Sequence, residues 1–125
     1  MNGYGVLVVD DDKNLRESLC EILELSGIDA YGAASGAEAL AAAARKPALV
    51  LADFQLPDTD GYKLCRDLKS MPGETVRVMV MTGRMLSDAE RAAGDAAGVD
   101  EYLFKPFDIA ALCRRIGGFF KERNS

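Results

Sequence analysis

The stretch VLVVDDDKN, residues 6–14, runs from four apolar residues directly into three carboxylates. Val6–Val9 shows no polar alternation, which predicts a buried strand. The side chains of Asp10, Asp11 and Asp12 would then crowd together at the end of that strand. Like charges this close repel, and desolvation disfavours their ionised form further. A strand that ends in this way indicates a site that needs a compensating cation.

Length and charge restrict the class of protein. The chain has 125 residues, 49% of them hydrophobic, and we expect one globular domain with a substantial core. Its 15 basic and 20 acidic residues give a net charge of −5, which argues against a nucleic-acid partner. No apolar run approaches the ~20 residues of a membrane helix, and the N-terminus has no signal pattern. We therefore expect no membrane partner and a cytoplasmic location.

The cysteine and histidine content excludes several kinds of site. Cys20, Cys65 and Cys113 are widely spaced, odd in number and without a CxxC motif, so we expect reduced thiols that pack as small hydrophobic groups. The sequence contains no histidine. A Ser-His or Cys-His nucleophile and a histidine-ligated zinc site are therefore excluded.

Apolar runs and helical patterns alternate five times along the chain. Predicted strands cover residues 6–9, 28–33, 48–52, 76–81 and 99–104, and a helical pattern follows each of them. Capping boxes are predicted at residues 35–38 and 87–90, and Gly27 and Gly98 are predicted helix stops. Strands without polar alternation, joined by helical crossovers, predict an α/β fold with a parallel sheet covered on both faces.

Polar residues follow several of the predicted strands, and parallel sheets bind ligands at the carboxyl ends of their strands. In a sheet with the strand order 2-1-3-4-5, Asp53 would lie beside Asp10 and Asp11, with Thr82 and Lys105 on its other side. Three converging carboxylates form a hard oxygen site that suits Mg²⁺. A pocket that also holds a lysine and a hydroxyl suits a phosphoryl group. A carboxylate at its centre can act as the nucleophile and form an acyl phosphate.

These segments together resemble the receiver domain of two-component response regulators, of the single-domain, chemotaxis-regulator-like kind. The resemblance runs through VLVVDDDKNLRESL (6–19), LVLADFQLPDTDGY (49–62), VRVMVMTGR (76–84) and GVDEYLFKPF (98–107). It implies a flavodoxin-like doubly wound (βα)5 fold, with a receiver domain over residues 1–120. Residues 121–125 would be a short polar tail.

The resemblance implies a metal site made of acids. Asp53 would be the phosphoacceptor. Asp11, Asp53 and the main-chain carbonyl of Gln55 would bind Mg²⁺ directly, and Asp10 would act through a water molecule. Asp12 would point away, as a solvated or helix-capping residue.

The resemblance also implies a group of residues that respond to the phosphoryl group. Lys105 would pair with it, Thr82 would move to bond it, and Tyr102 would change rotamer with Thr82. The peptide bond between Lys105 and Pro106 would be cis.

The implied function is that of a signalling switch and not of an enzyme. A sensor histidine kinase, a phosphotransfer protein or a small phosphodonor would phosphorylate Asp53. The face made by the fourth helix, fifth strand and last helix would then bind a downstream effector or a second copy of the chain.

Three alternatives remain beside this interpretation. A phosphatase with an aspartate nucleophile typically carries a second acid two residues later, where this chain has Gln55. A flavin-binding protein would need a neutral first loop, because three acids would repel the phosphate. A pseudo-receiver that is never phosphorylated is disfavoured by the complete set of site residues.

Overall fold

The computed structural model describes residues 5–73 and 76–123, with side chains as far as Lys121. Strands and helices alternate along it, as predicted. The strands are β1 (Val6–Val9), β2 (Ala30–Ala33), β3 (Leu49–Asp53), β4 (Arg77–Thr82) and β5 (Glu101–Phe104). The helices are α1 (Lys13–Leu25), α2 (Gly36–Ala42, continued by a 3-10 turn over Ala43–Arg45), α3 (Gly61–Lys69), α4 (Asp88–Ala97) and α5 (Ile109–Arg123).

The five strands form one parallel sheet in the order β2-β1-β3-β4-β5, which confirms the predicted flavodoxin-like topology. Val9 pairs with Ala52, so β1 and β3 end side by side. Thr82 pairs with Phe104 at the end of β4 and β5. The residues that follow these strands are therefore brought to the same edge of the sheet.

Helices cover both faces of the sheet, and each face has its own hydrophobic core. Alternate residues of the strands point to opposite faces, as strand geometry requires. One core joins strand residues such as Leu7 and Val50 to Leu64, Cys65 and Leu68 of α3. The other joins their neighbours to Leu19 and Leu23 of α1 and to Leu112 and Ile116 of α5. With both faces buried, the edge at the strand ends is left for a ligand.

Strands β2 and β5 start two residues later than predicted, because the hydrogen bonds that end the preceding helices include the first predicted strand residues. Gly27 adopts a left-handed conformation (φ +85°), and the N–H of Ile28 still donates to Leu23 O. The N–H of Ile28 is therefore used in the hydrogen bonds that end α1, and β2 starts at Ala30. The same holds at Gly98 (φ +96°), where the N–H of Val99 donates to Gly94 O.

The predicted helix caps are confirmed in most details. Ser87 and Glu90 form a full capping box at α4, and Asp12 caps α1 by accepting from the N–H groups of Asn14 and Leu15. At α2, Ser35 accepts from the N–H of Glu38, but the Glu38 carboxylate accepts from Ala34, one residue before the cap. Half of that predicted capping box is therefore wrong.

The last helix and the cysteines complete the fold. Helix α5 continues through Arg123, so the first part of the predicted tail at residues 121–125 is helical. Residues 124–125 lie outside the described residues. All three cysteines lie on helices and are free thiols, as predicted. Within residues 5–73 and 76–123, no helix is long and apolar enough to cross a bilayer.

Candidate functional site

Three carboxylates meet where β1 and β3 end. Asp10 and Asp11 follow β1, and Asp53 is the last residue of β3. Each offers one carboxylate oxygen, and these oxygens lie within 4.8 Å of one another. Asp10 is 1% exposed, Asp53 is partly buried and Asp11 is exposed. The structure therefore brings together the acids that the sequence predicted to converge.

The buried Asp10 is fixed from several directions. Its carboxylate accepts the N–H of Asp12 at 2.9 Å, and its own N–H donates to Ala33 O at 3.1 Å. Its carbonyl accepts from Arg16 Nη1 at 2.8 Å. A buried carboxylate is stable only when hydrogen-bonded or paired in this way. Arg16 was not predicted, because a single arginine on a helix gives no sequence signal of such a contact.

Lys105 provides the positive charge within this cluster. It follows β5, and its Nζ lies 3.1 Å from Asp10 Oδ2 and 3.6 Å from Asp53 Oδ1. Its main-chain N–H donates to Thr82 O, which fixes the start of the loop. The peptide bond between Lys105 and Pro106 is cis, as predicted. The ammonium group thus joins the ends of β1, β3 and β5.

The charges of the site shift the pKa of its members. Burial raises the pKa of Asp53 and the charge of Asp10 raises it further, against the opposing effects of Lys105 and of the Gln55 N–H. Burial acts to lower the pKa of Lys105, but its bonds and charge interactions with Asp10 and Asp53 outweigh that effect and raise it. Asp53 is therefore more basic than an ordinary aspartate, and Lys105 stays protonated.

The donor set of this pocket fits a magnesium ion. Three carboxylates face one ammonium, so the cluster carries a formal charge of two negative when all groups are ionised. Hard oxygen ligands, some buried and some open to water, are the type of partial shell that Mg²⁺ takes from a protein. A divalent cation would offset the excess negative charge.

The ends of β4 and β5 carry the remaining predicted residues. Thr82 is 2% exposed, and its hydroxyl accepts the N–H of Arg84 at 3.4 Å. Tyr102 is half-buried, and its hydroxyl lies 3.3 Å from that of Tyr62 on α3. Thr82 and Tyr102 thus have different hydroxyl partners. Tyr62 was not predicted as a partner, because that contact is between distant elements.

The loop after β3 supplies Gln55 and several unpredicted contacts. The Gln55 side chain is exposed, and its backbone pairs with that of Asp60. Asp58, for which the sequence analysis made no prediction, bonds to the first turn of α2. The one available signal was Gly36 in that turn, since a glycine at the start of a helix can indicate close approach of another segment.

Comparison with known proteins is consistent with this geometry. The sequence model of the response regulator receiver domain matches residues 6–117. Response regulator MprA of Mycobacterium leprae is 42% identical over 118 residues, which cover 94% of this chain and 51% of that protein. Transcriptional regulatory protein PrrA of Mycobacterium tuberculosis is 40% identical over 121 residues, which cover 96% of this chain and 51% of that protein. The chain spans about half the length of these curated relatives.

Solved structures show the same fold. A two-component response regulator from Clostridium difficile superimposes with a TM-score of 0.86 at 26% identity, over 98% of this chain and 99% of that one. A CheY-like receiver domain protein from Methanospirillum hungatei superimposes with a TM-score of 0.84 at 30% identity, over 99% of this chain and 98% of that one. The beryllofluoride-activated DrrB receiver domain superimposes with a TM-score of 0.81 at 30% identity, over 97% of this chain and 99% of that one.

Proposed function

The chain belongs to the response regulator receiver family of two-component systems, and from that premise we propose that Asp53 accepts a phosphoryl group. The observation that carries the proposal is the position of Lys105, whose ammonium lies between Asp10 and Asp53. One cation beside a partly buried carboxylate, at the edge where parallel strands end, is a suitable environment for an acyl phosphate.

The proposed magnesium ligands are Asp11, Asp53 and the main-chain carbonyl of Gln55, with Asp10 acting through a water molecule. When bound, Mg²⁺ would neutralise charge on the transferring phosphoryl oxygens. Support comes from the converging carboxylates, which have only Lys105 as a counter-charge among the contacts described above. The pKa of Asp53 is raised by burial and then by the charge of Asp10, and the ion would offset both effects.

The transfer itself is a displacement at phosphorus. A carboxylate oxygen of Asp53 forms the new bond, and the bond from phosphorus to the imidazole nitrogen of a phosphohistidine breaks. The nitrogen keeps the electron pair and takes a proton from solvent. Lys105 pairs with a phosphoryl oxygen, and the Thr82 hydroxyl, which donates to Arg84 O, turns to donate to another phosphoryl oxygen.

The proposed partners follow from this chemistry. A sensor histidine kinase, a phosphotransfer protein or a small phosphodonor in the cytoplasm supplies the phosphoryl group. The face made by α4, β5 and α5 is proposed to bind a downstream effector or a second copy of the chain. Residues 1–120 form the proposed receiver unit. The protein then acts as a switch, with self-phosphorylation and self-dephosphorylation as its only reactions.

Intact-mass measurement with acetyl phosphate and Mg²⁺ tests the proposal. We expect wild type to gain the mass of one phosphoryl group, and Asp53→Asn and the Mg²⁺-free sample to gain none. Continuous release of phosphate with no adduct would favour the phosphatase alternative. Wild type that gains no mass and releases no phosphate would favour the pseudo-receiver.

The Lys105→Ala variant distinguishes the residue that pairs with the phosphoryl group from the residues that bind the metal. In wild type, the Lys105 ammonium is proposed to compensate the phosphoryl charge and not to bind the metal. We expect this variant to bind Mg²⁺, followed by amide chemical shifts, but to lose the structural response to phosphorylation. A variant that lost Mg²⁺ binding and kept the response would contradict the assignment.

A further inference from the structure

The loop between β3 and α3 is a short hairpin that carries Gln55 at its base. Gln55 pairs in antiparallel fashion with Asp60. The N–H of Leu56 donates to Thr59 O at 3.0 Å, and the N–H of Gly61 donates to Phe54 O at 2.7 Å. These bonds make the hairpin a unit, so the position of its tip fixes the position of its base.

The tip of the hairpin is bonded to the start of α2. The two carboxylate oxygens of Asp58 accept the N–H groups of Gly36 and Ala37, at 2.8 Å and 2.9 Å. The first N–H groups of a helix have no partner within it, so an acid placed there forms charge-assisted bonds. These bonds lower the pKa of Asp58, which keeps the carboxylate ionised. The local cap residue Ser35 bonds instead to Glu38.

A second contact holds the same two segments together. A Cβ atom on Gly36 would overlap the methyl group of Thr59, so the hairpin approaches the helix as closely as a glycine permits. The Thr59 hydroxyl is buried without a hydrogen-bond partner. Burying an unpaired hydroxyl costs free energy, which indicates that the placement of this residue is dictated by its surroundings.

Asp58, Thr59 and the first turn of α2 form a clamp. This clamp connects the segment that follows β1, which carries Asp10, to the segment that follows β3, which carries Asp53 at its start. On one side, Asp10 donates its N–H to Ala33 O at the end of β2, the strand that leads into α2. On the other side, the hairpin leads back to Gln55, which lies two residues after Asp53 and pairs with Asp60 across the hairpin. A path of contacts therefore runs from Asp10 through β2, α2 and the hairpin to Gln55, two residues from Asp53.

We propose that Asp58 is a positioning residue for phosphorylation, holding the hairpin so that Gln55 and Asp53 keep their place relative to Asp10. The inference rests on the proposed function and adds a residue to it. Asp58 is not one of the proposed metal ligands or phosphoryl contacts; it acts through the hairpin. Small displacements of a metal ligand or nucleophile weaken both binding and reaction.

The competing possibility is that Asp58 only caps α2 and affects stability alone. Ser35 provides a matched control, because Ser35→Ala removes a cap bond at the same helix end without touching the hairpin. In the full chain, Mg²⁺ affinity is measured by amide shifts and the phosphorylation rate by intact mass with acetyl phosphate. Circular dichroism verifies that each variant is folded.

We expect Asp58→Ala to lose roughly tenfold in Mg²⁺ affinity and in phosphorylation rate, the scale seen when groups that orient metal ligands are removed. Ser35→Ala should stay close to wild type in both. Equal behaviour of the two variants would overturn the positioning role. A wild type that neither binds Mg²⁺ nor takes up phosphate would instead overturn the proposed function, and the clamp with it.

A second pair of variants tests the clamp without altering a charge. Gly36→Ala should displace the hairpin through Thr59 and lower the Mg²⁺ affinity. Adding Thr59→Ser removes the methyl group that the new Cβ would overlap, and we expect it to restore the affinity in the double variant. A Gly36→Ala variant with wild-type affinity, or a double variant without rescue, would overturn the proposal.

Discussion

At the scale of single residues, the pocket without a cation holds charges that destabilise the fold. Asp10 is buried and paired with Lys105, and Asp53 lies partly buried beside both. Burial and the Asp10 charge both oppose ionisation of the Asp53 carboxylate and raise its pKa. The site therefore favours binding of a cation or loss of the negative charge of Asp53.

The first prediction concerns the stability of Asp53→Asn in Mg²⁺-free buffer. Because the folded pKa lies above the ordinary 3.8, ionised Asp53 makes the folded state less stable at neutral pH, and its protonation relieves that cost. We expect Asp53→Asn to be more stable than wild type to urea near neutral pH. The difference should shrink as pH falls through the folded pKa and vanish below 3.8.

Saturating Mg²⁺ should reduce the difference in stability between Asp53→Asn and wild type, because the ion stabilises the wild-type carboxylate. Asp60→Asn is a suitable control, since Asp60 is an exposed acid that caps α3 and lies outside the carboxylate cluster. We expect that variant to gain no stability. If Asp53→Asn were no more stable than wild type at neutral pH, the electrostatic description of the pocket would be wrong.

At the scale of elements, a tyrosine pair joins α3 to β5 and packs against α4. The Tyr102 hydroxyl lies against Gly94 of α4 and shares a hydrogen bond with Tyr62 of α3. A Cβ on Gly94 would overlap that hydroxyl and come within 2.9 Å of the Tyr62 ring. Burial and the bond with Tyr62 raise the pKa of Tyr102. Gly94 thus provides the space that keeps Tyr102 turned inward.

We predict that Gly94→Ala displaces Tyr102 from this position. The absorbance titration of the tyrosines should then show the pKa of Tyr102 falling toward its ordinary value, because the ring loses its burial and its partner. Gly118→Ala is the matched control, since no atom lies within 4 Å of a Cβ there. That variant should leave the titration unchanged and stabilise α5 by about 1 kcal/mol. An unaltered Tyr102 titration in Gly94→Ala would contradict the role of Gly94.

Much at this scale could be predicted from the sequence because it depends on local pattern. Continuous apolar runs indicated the parallel strands, and the placement of Asp10, Asp53 and Lys105 followed from strand ends meeting at one edge. Cap residues such as Ser87 were predictable because capping uses residues close in the chain. Strand starts were less predictable, because bonds such as that of Val99 to Gly94 extend helix ends.

The contacts that were not predictable join residues far apart in the chain. Asp58 caps a helix 22 residues earlier, and Tyr62 meets Tyr102 across 40 residues. Neither pairing has a periodicity or a spacing that a single sequence reveals, since each depends on how the crossover helices pack. Glycines such as Gly36 and Gly94 gave only an indirect signal, because a missing side chain does not identify the neighbour that needs the space.

At the scale of the whole molecule, the site lies at one edge of the sheet and the proposed partner surface lies beside it. Phe104 on β5 is 44% exposed and stacks near Tyr102, and the Arg91 guanidinium of α4 lies over both rings. Met85, in the loop between β4 and α4, is 89% exposed. A change at Thr82 would reach this surface through the β4–α4 loop, because the Thr82 hydroxyl bonds to Arg84 and Arg84 pairs with Glu90 of α4.

We predict that beryllofluoride with Mg²⁺, a mimic of the acyl phosphate, changes amide spectra from the site to residues 87–116. A shift from mostly inactive to mostly active requires about 3–5 kcal/mol of differential stabilisation, which charge-assisted bonds from Thr82 and Lys105 can provide. Thr82→Ala should keep the changes near Asp53 and diminish the distant ones. Distant changes of full size in that variant would show that Thr82 does not couple the site to this surface.

The most direct test of the whole account is to locate the phosphoryl group. Wild type is phosphorylated with acetyl phosphate and Mg²⁺, the acyl phosphate is reduced with borohydride, and the peptides are sequenced by mass spectrometry. Reduction converts a phosphorylated aspartate to homoserine and leaves free carboxylates unchanged. The account predicts homoserine at position 53 and at no other aspartate. Homoserine at position 10 or 11, or at none, would contradict it.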